Sequence, residues 1–259
     1  MIDATLGNGA TREAAVGRVV VVIPTLDEEQ SIADVVRSIP RAIVSRVIVA
    51  DGGSRDATAA RAKAAGADVI DAGRGYGRAC LKATTAAEDA DIVVFMDGDG
   101  ADDPRSIAAL VEPIRSGRYD FVIGSRARGR REEASIAWHQ LAAGRVAGWG
   151  MWLLYGVGYT DMCALRAIRR DVLLDLAMRE LTYGWNLEMQ MRAARAGLRI
   201  LEIPVDYRRR RGGNSKVAGS LTGTMRASAR IIATFARVSS ESRLWRRGRD
   251  RQRELSNVR

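Results

Sequence analysis

The sequence predicts an α/β fold, a mostly parallel central sheet flanked by helices, with a more helical C-terminal part. Three observations predict it. Apolar runs at 19–23, 47–50 and 93–96 read as strands buried on both faces. Amphipathic stretches with short connections separate these runs, giving the β-α-β-α alternation of a parallel sheet. The runs also end alike, in Pro24-Thr25-Leu26-Asp27-Glu28, Asp51-Gly52-Gly53-Ser54 and Asp97-Gly98-Asp99.

Taken in order, residues 1–17 have no period and are expected to be mobile. Val19 to Ile23 form the first strand, which Pro24 is expected to stop. A helix follows from Ser31, with Ile32, Val35, Val36 and Ile39 on one face and Pro40 at its end. The strand at 47–50 precedes a helix at 57–65 and a short strand at 67–70. Gly73, Gly75 and Gly77 make a flexible loop before a helix at about 78–87. The strand at 91–96 leads to a helix at 104–115 and a strand at 121–124. Helices are expected at 134–154, 171–178 and 184–196, strand character returns at 198–205, and an amphipathic helix is expected at 219–239. Packing on its own domain is the ordinary role of that last helix; a membrane interface is the alternative.

A chain of 259 residues suits one large α/β domain, or one with an appended segment. A hydrophobic fraction of 47% supplies a sizeable core and excludes global disorder. No apolar stretch approaches the roughly 18–20 residues of a membrane span, and the first eighteen residues lack a signal-peptide core. Cys80 and Cys163 lie far apart without metal-ligand spacing, so they are expected to be reduced, buried thiols in a cytoplasmic protein. The net charge is +10, but residues 226–259 carry ten arginines against Glu241, Asp250 and Glu254, leaving the rest near +3. Charge so placed describes a basic extension, open to an anionic membrane surface, to nucleic acid or to solvent alone. It does not describe a basic face across the fold, and nucleic acid is not the expected partner.

In an open α/β sheet, ligands bind beyond the carboxyl ends of the strands. Asp97 and Asp99 at such an end are costly to hold together unless something positive sits between them. A divalent cation with a phosphate-bearing substrate meets that need, since Mg²⁺ takes one or two carboxylates plus phosphate oxygens. The neighbouring strand ends complete the inventory of a nucleotide site. Asp51 is a candidate for the base, Glu28 for the ribose, Asp97 for ribose or metal and Asp99 for the metal. Singly, each has an ordinary use: Asp27 and Glu28 can start a helix, and Asp51 can cap a turn. Jointly they point to a nucleotide.

The motifs Ile23-Pro24-Thr25-Leu26-Asp27-Glu28-Glu29, Asp51-Gly52-Gly53-Ser54-Arg55-Asp56-Ala57-Thr58, Gly75-Tyr76-Gly77-Arg78-Ala79 and Met96-Asp97-Gly98-Asp99 occur in the order seen in family-2 glycosyltransferases, and the chain resembles that family over about 18–235. Gly124-Ser125-Arg126, Thr160-Asp161, Arg166-Ala167, Tyr183 through Glu188 and Arg210 through Lys216 extend the likeness, which is greatest to the dolichol-phosphate mannosyltransferase and polyprenyl-phosphate glycosyltransferase branch. The resemblance implies a GT-A fold over 18–218, followed by the helix at 219–240 and a basic tail at 241–259. It also implies inverting transfer from a nucleotide-sugar, UDP- or GDP-linked, to a polyprenyl phosphate, with Mg²⁺ or Mn²⁺ held by Asp97 and Asp99. The implied donor-binding set is Pro24, Thr25, Glu28, Asp51, Asp97, Arg126, Arg210 and Lys216. Asp27 stands where the family usually has asparagine, Gly52 where a second acid is frequent and Ala101 where a glutamine often helps at the metal.

Departure of a diphosphate calls for a Lewis acid and fixed cations. By resemblance Arg126, Arg210 and Lys216 hold donor or acceptor phosphates, arginine in bidentate fashion, while Arg208 and Arg209 are expected to be solvated. Gly212-Gly213-Asn214-Ser215 suggests a loop that closes over the donor. With Asp99, the expected catalytic set includes Glu188, at a position where many relatives carry an acid facing the acceptor, and Asp161. A hydroxyl acceptor would need Glu188 or Asp161 as general base; a lipid phosphate, already an anion, would not. His139, beside Trp138, reads as structural. Transfer to a hydroxyl in glycan, glycolipid or small-molecule synthesis stays open, as does metal-dependent nucleotidyl transfer. Peripheral contact with the inner face of the membrane through the basic C-terminal segment is expected with a lipid acceptor, and a homo-oligomer is left open.

Overall fold

The computed structural model describes residues 17–132, 148–210 and 232–241. In chain order its elements are β1 (Val19–Thr25), α1 (Ile32–Ser38), β2 (Arg46–Asp51), α2 (Thr58–Ala64), β3 (Asp68–Asp71), α3 (Tyr76–Ala86) and β4 (Ile92–Phe95). A 3₁₀ turn (Pro104–Ser106) then leads into α4 (Ile107–Arg115), followed by β5 (Phe121–Ser125). Helix α5 occupies residues 148–155. After it come β6 (Arg166–Arg169), α6 (Arg170–Asp175), α7 (Trp185–Arg195) and β7 (Ile200–Pro204), and residues 232–241 form α8. The seven strands make one sheet in the order β3-β2-β1-β4-β6-β5-β7. Strands β1 to β4 pair in parallel, as do β5 and β7, while β6 runs antiparallel to both neighbours.

Alternation along each strand feeds two cores. Val20, Val22, Ile48, Ala50, Val93 and Phe95 face the layer made by Ala79, Cys80 and Ala83 of α3 and by Trp185, Met189 and Met191 of α7; Met151 of α5 and Val238 of α8 join them. Val19, Val21, Ile23, Val47, Val49 and Val94 face Ile32, Val35 and Val36 of α1, Ala62 of α2, and Ile107, Leu110 and Val111 of α4. Strand β1 is therefore buried along its whole length, as its unbroken apolar run requires. The edge strand β3 carries exposed acids, Asp68 and Asp71, which discourage pairing with another chain. Cys80 and Cys163 are free and buried.

Pro24 does not stop β1, which continues to Thr25. The carbonyl of Val22 receives Met96 N–H on the β4 side, whereas that of Thr25 receives Gly52 N–H on the β2 side. Position 24 therefore points its backbone nitrogen toward β4, whose ladder with β1 ends at Val22, and the missing N–H forfeits no bond there. Strand β6 is a finding the apolar pattern did not predict: it is four residues long and begins and ends with arginine. Helix α3 begins at Tyr76, two residues before the expected start. The expected mobile N-terminus lies outside the described residues up to 16, as do 134–147 of the expected 134–154 helix, 219–231 of the expected C-terminal helix and 242–259 of the basic tail.

Candidate active site

The parallel register aligns the strand ends. Thr25 of β1 stands opposite Asp51 of β2, and Asp51 opposite Asp71 of β3; Asp97 follows just past the end of β4. Gly98 lets the end of β4 close on β1, since a β-carbon there would meet Thr25 Cγ2 at 2.7 Å. Ser31 Oγ, at the start of α1, donates to the Gly98 carbonyl at 2.8 Å. The loops after β1 and β2 are stitched together: Asp27 N–H donates to Ser54 Oγ at 2.9 Å, Arg55 N–H to Asp27 Oδ1 at 2.9 Å and Glu28 N–H to Thr58 Oγ1 at 2.8 Å. Asp51 is half-buried and accepts Ser54 N–H at 3.0 Å and Gly53 N–H at 3.2 Å, and it bonds Ser54 Oγ as well. Pro24, Thr25, Glu28, Asp51 and Asp97 thus lie at the carboxyl end of the parallel strands.

Three carboxylates gather after β4. Asp99 is 2% exposed, accepts Ala101 N–H at 2.9 Å and pairs with Arg210, whose Nη2 lies 2.6 Å from Oδ2. Asp102, 3% exposed, accepts Asp97 N–H at 3.1 Å. Asp97 receives Tyr76 Oη at 3.4 Å. Burial, with the charges of Asp99 and Asp102 behind it, pushes the Asp97 carboxyl up to about 8. Burial and Asp99 push Asp102 up to about 7. The cluster is short of positive charge, which fits a cation. Among the described residues no group of three or more metal-ligating side chains is disposed to hold a metal by itself. Two carboxylates with oxygens from a diphosphate are what Mg²⁺ ordinarily uses. Arg210 Nη1 is buried and has no partner among the described residues, a donor open to a phosphate oxygen. The residues present fit a cation and a diphosphate together.

A short bridge between Asp102 and Tyr207, with Arg208 N–H on the Ala101 carbonyl at 2.9 Å, carries the chain after β7 across the cluster and delivers Arg210 to it. Arg126, at the end of β5, packs over the Tyr207 ring at 5.0 Å. It donates Nε and Nη2 to the two oxygens of Asp161, each at 2.8 Å, and its backbone N–H at 2.9 Å. Burial raises the Asp161 carboxyl, but these bonds outweigh it and hold the group below the ordinary carboxylate range. Thr160 and Asp161 are fixed in turn by Glu202 of β7, which accepts both of their backbone N–H groups. Arg208 pairs with Asp103 at 3.3 Å, so it is not the freely solvated side chain expected. Lys216 lies outside the described residues.

Glu188 of α7 lies apart from this cluster and is wholly enclosed, at 0% exposure. Its Oε2 accepts the backbone N–H of Arg179 at 3.0 Å and of Glu180 at 2.6 Å, and its Oε1 accepts Arg192 Nε at 2.9 Å and Arg237 Nη1 at 3.1 Å. The expectation of an acid open to an acceptor is not what the structure presents, because both oxygens are engaged. The loop that Glu188 holds packs on the start of α3: Arg78 N–H donates to the Leu181 carbonyl at 3.0 Å, and a β-carbon at Gly77 would collide with the Glu180 carbonyl oxygen. Glu188 therefore braces the turn that carries Tyr76 to Asp97. Tyr76, Asp102 and Tyr207 were missed as site residues. The first sits inside a quoted motif; the other two carry no sequence signal beyond a run of acids and a run of arginines.

The chain is similar to known proteins in sequence and in fold. Residues 20–176 match the family described as Glycosyl transferase family 2. An uncharacterized glycosyltransferase of Mycobacterium tuberculosis is 38% identical over 210 residues, 80% of this chain and 93% of the relative. The polyprenol monophosphomannose synthase of Mycolicibacterium smegmatis is 30% identical over 218 residues, 78% of this chain and 82% of the relative. The crystal structure of glucosyl-3-phosphoglycerate synthase from Mycobacterium tuberculosis with Mn²⁺, UDP-glucose and phosphoglyceric acid superposes with a TM-score of 0.70 at 25% identity, covering 86% of this chain and 80% of that one.

Proposed function

The chain belongs to glycosyl transferase family 2, and from that premise we propose that it moves a sugar from a UDP- or GDP-sugar to a polyprenyl phosphate with inversion, using Mg²⁺ or Mn²⁺. The observation that carries the choice of acceptor is the state of the two candidate bases. Asp161 is locked to Arg126 and held acidic, and Glu188 is enclosed by four donors. Neither is suited to take a proton from a hydroxyl, and an acceptor phosphate needs none taken.

In this reading Asp51 receives the base, Glu28 the ribose, and Pro24 and Thr25 line the floor beneath them. Asp97 and Asp99 would hold the cation, which supplies Lewis-acid stabilisation of the departing diphosphate. Arg210, with Nη1 open, and Lys216 grip the diphosphate. Arg126, oriented by Asp161 and Tyr207, holds the acceptor phosphate, so that one of its oxygens attacks the anomeric carbon opposite the leaving nucleoside diphosphate. Fixed cations of this kind stabilise developing charge without reorganising. Asp161 and Glu188 act as positioning groups. A lipid acceptor brings the enzyme to the inner face of a membrane, with the basic segment after Glu241 as a contact; no helix among the described residues is long and apolar enough to cross one.

The test is transfer of labelled sugar from UDP- and GDP-sugars to detergent-dispersed polyprenyl phosphate, to the matching polyprenol and to phosphoglyceric acid, with Mn²⁺, with Mg²⁺ and with chelator. Expected is release of nucleoside diphosphate with the lipid phosphate alone, lost in chelator. Turnover only with a hydroxyl acceptor supports the reading suggested by the glucosyl-3-phosphoglycerate synthase likeness. Pyrophosphate as product means nucleotidyl transfer instead, and either outcome overturns the proposal.

A further inference from the structure

Helix α5 turns its faces to different surroundings. Met151 is fully buried in the core, and Gly150 lies against α8, where a β-carbon would meet the Phe235 ring at 2.9 Å. Trp149, Trp152 and Leu153, at i, i+3 and i+4, share the outward face at 65%, 57% and 65% exposure. Ile232, one turn before Phe235 on α8, is 69% exposed. Single exposed apolar residues need no explanation, but two tryptophans and a leucine on one helical face do.

We propose that the outward face of α5, with Ile232 of α8, is the surface by which this protein docks on an anionic lipid bilayer. Tryptophan seats at the headgroup level, with its ring in the apolar boundary and its N–H toward water. Charge selects the occupant. The residues after Glu241 carry Arg243, Arg246, Arg247, Arg249, Arg251, Arg253 and Arg259 against Asp250 and Glu254, together with Leu244 and Trp245. A basic segment joined directly to α8 is drawn to an anionic leaflet and adds to apolar insertion. The surface deepens the lipid-phosphate reading and rests on it only for its purpose; the docking itself needs neither donor nor acceptor.

The experiment is sedimentation of the full chain at low salt with phosphatidylcholine vesicles, with and without phosphatidylglycerol. Wild type is expected to co-sediment with the anionic vesicles and to be released by salt. The variant Trp149→Ser/Trp152→Ser/Leu153→Ser is expected to lose at least about tenfold in partitioning, and Arg243→Ser/Arg246→Ser/Arg247→Ser a similar factor. Equal sedimentation of wild type and the first variant overturns the proposal. So does a dimer in light scattering that this variant dissolves while neither protein binds vesicles. Should circular dichroism show the triple variant misfolded, Trp149→Ser alone and quenching of wild-type emission by brominated phosphatidylglycerol decide, absence of quenching being the adverse result. In the detergent assay the triple variant is expected to keep wild-type turnover. Vesicle binding without any transfer to polyprenyl phosphate would remove the acceptor assignment and leave the docking surface standing.

Discussion

Asp97, Asp99 and Asp102 at the rim of the sheet, and Glu180, Glu188 and Glu241 between α7 and α8, are two groups of three acids in opposite surroundings. At the rim, the one guanidinium that bonds the cluster among the described residues is Arg210, on Asp99, and burial with mutual repulsion pushes Asp97 up to about 8 and Asp102 up to about 7. Between the helices, Arg192 and Arg237 bond Glu188, and Arg179, Arg192, Arg195 and Arg237 surround Glu241. Thr234 Oγ1 and Arg237 reach Glu180. Matched charge ties one part of the chain to another; negative charge left short of partners marks the place where a ligand completes the structure. Breaking a matched group should cost stability, and breaking an unmatched one should cost activity.

The largest expected effect is at the rim. Asp99→Asn should lower sugar transfer by about a thousandfold, the scale of losing a principal electrostatic contact in a transition state, with urea unfolding unchanged or improved. Loss of folding in this variant would erase the contrast. Next is Glu188→Ala, which leaves Arg192 and two backbone N–H groups without their buried acceptor and should cost about 3–5 kcal/mol in urea unfolding. An unchanged midpoint would mean that the enclosed acid is not the tie described. Smaller is Gly77→Ala, where the new β-carbon meets a backbone carbonyl that cannot swing aside. It should cost about 1–3 kcal/mol, and by shifting the start of α3 and Tyr76 it should raise the donor KM more than it lowers kcat.

The same contrast accounts for what the sequence disclosed. Strands β1, β2 and β4 were legible because a strand buried on both faces must be apolar throughout, and their polar ends because ligands gather there. Strand β6 was not, since a short strand bounded by arginines lacks that run; Arg166 is nonetheless fully buried, its guanidinium on the carbonyls of Cys163 and Asn186. Asp27 was noted as a departure from asparagine, and the backbone explains why it serves: φ is 49°, a left-handed conformation that both residues tolerate. Glu188 was read as an acid facing the acceptor because only Arg192, four residues on, is legible along its own helix, whereas Arg237 reaches it from α8, and Arg179 and Glu180 through their backbone. A carboxylate's availability depends on such distant partners, which spacing along one helix does not carry.

The mildest prediction separates the two groups by pH. In chelator, Asp97 keeps its proton in the folded state up to about 8, whereas an ordinary aspartate gives it up near 3.8. Between those values the folded state binds more protons than the unfolded one, so stability falls as pH rises, by at most about 1.4 kcal/mol per pH unit for each such group. Asp102, held near 7, adds to the slope over the lower part of the window. Asp103, Asp120 and Asp161 are held below their ordinary values by arginine partners, so they act in the opposite sense and only at lower pH, where they lose their charge. Among the described residues, urea midpoints taken between about pH 5 and 7.5 therefore report on the rim. The downward slope should shrink in Asp97→Asn, and it should shrink in wild type when Mn²⁺ and a nucleoside diphosphate are added together, because a bound cation makes the ionised form the favoured one. A slope that persists unchanged under both conditions would mean that the unmet charge resides elsewhere than at the end of β4.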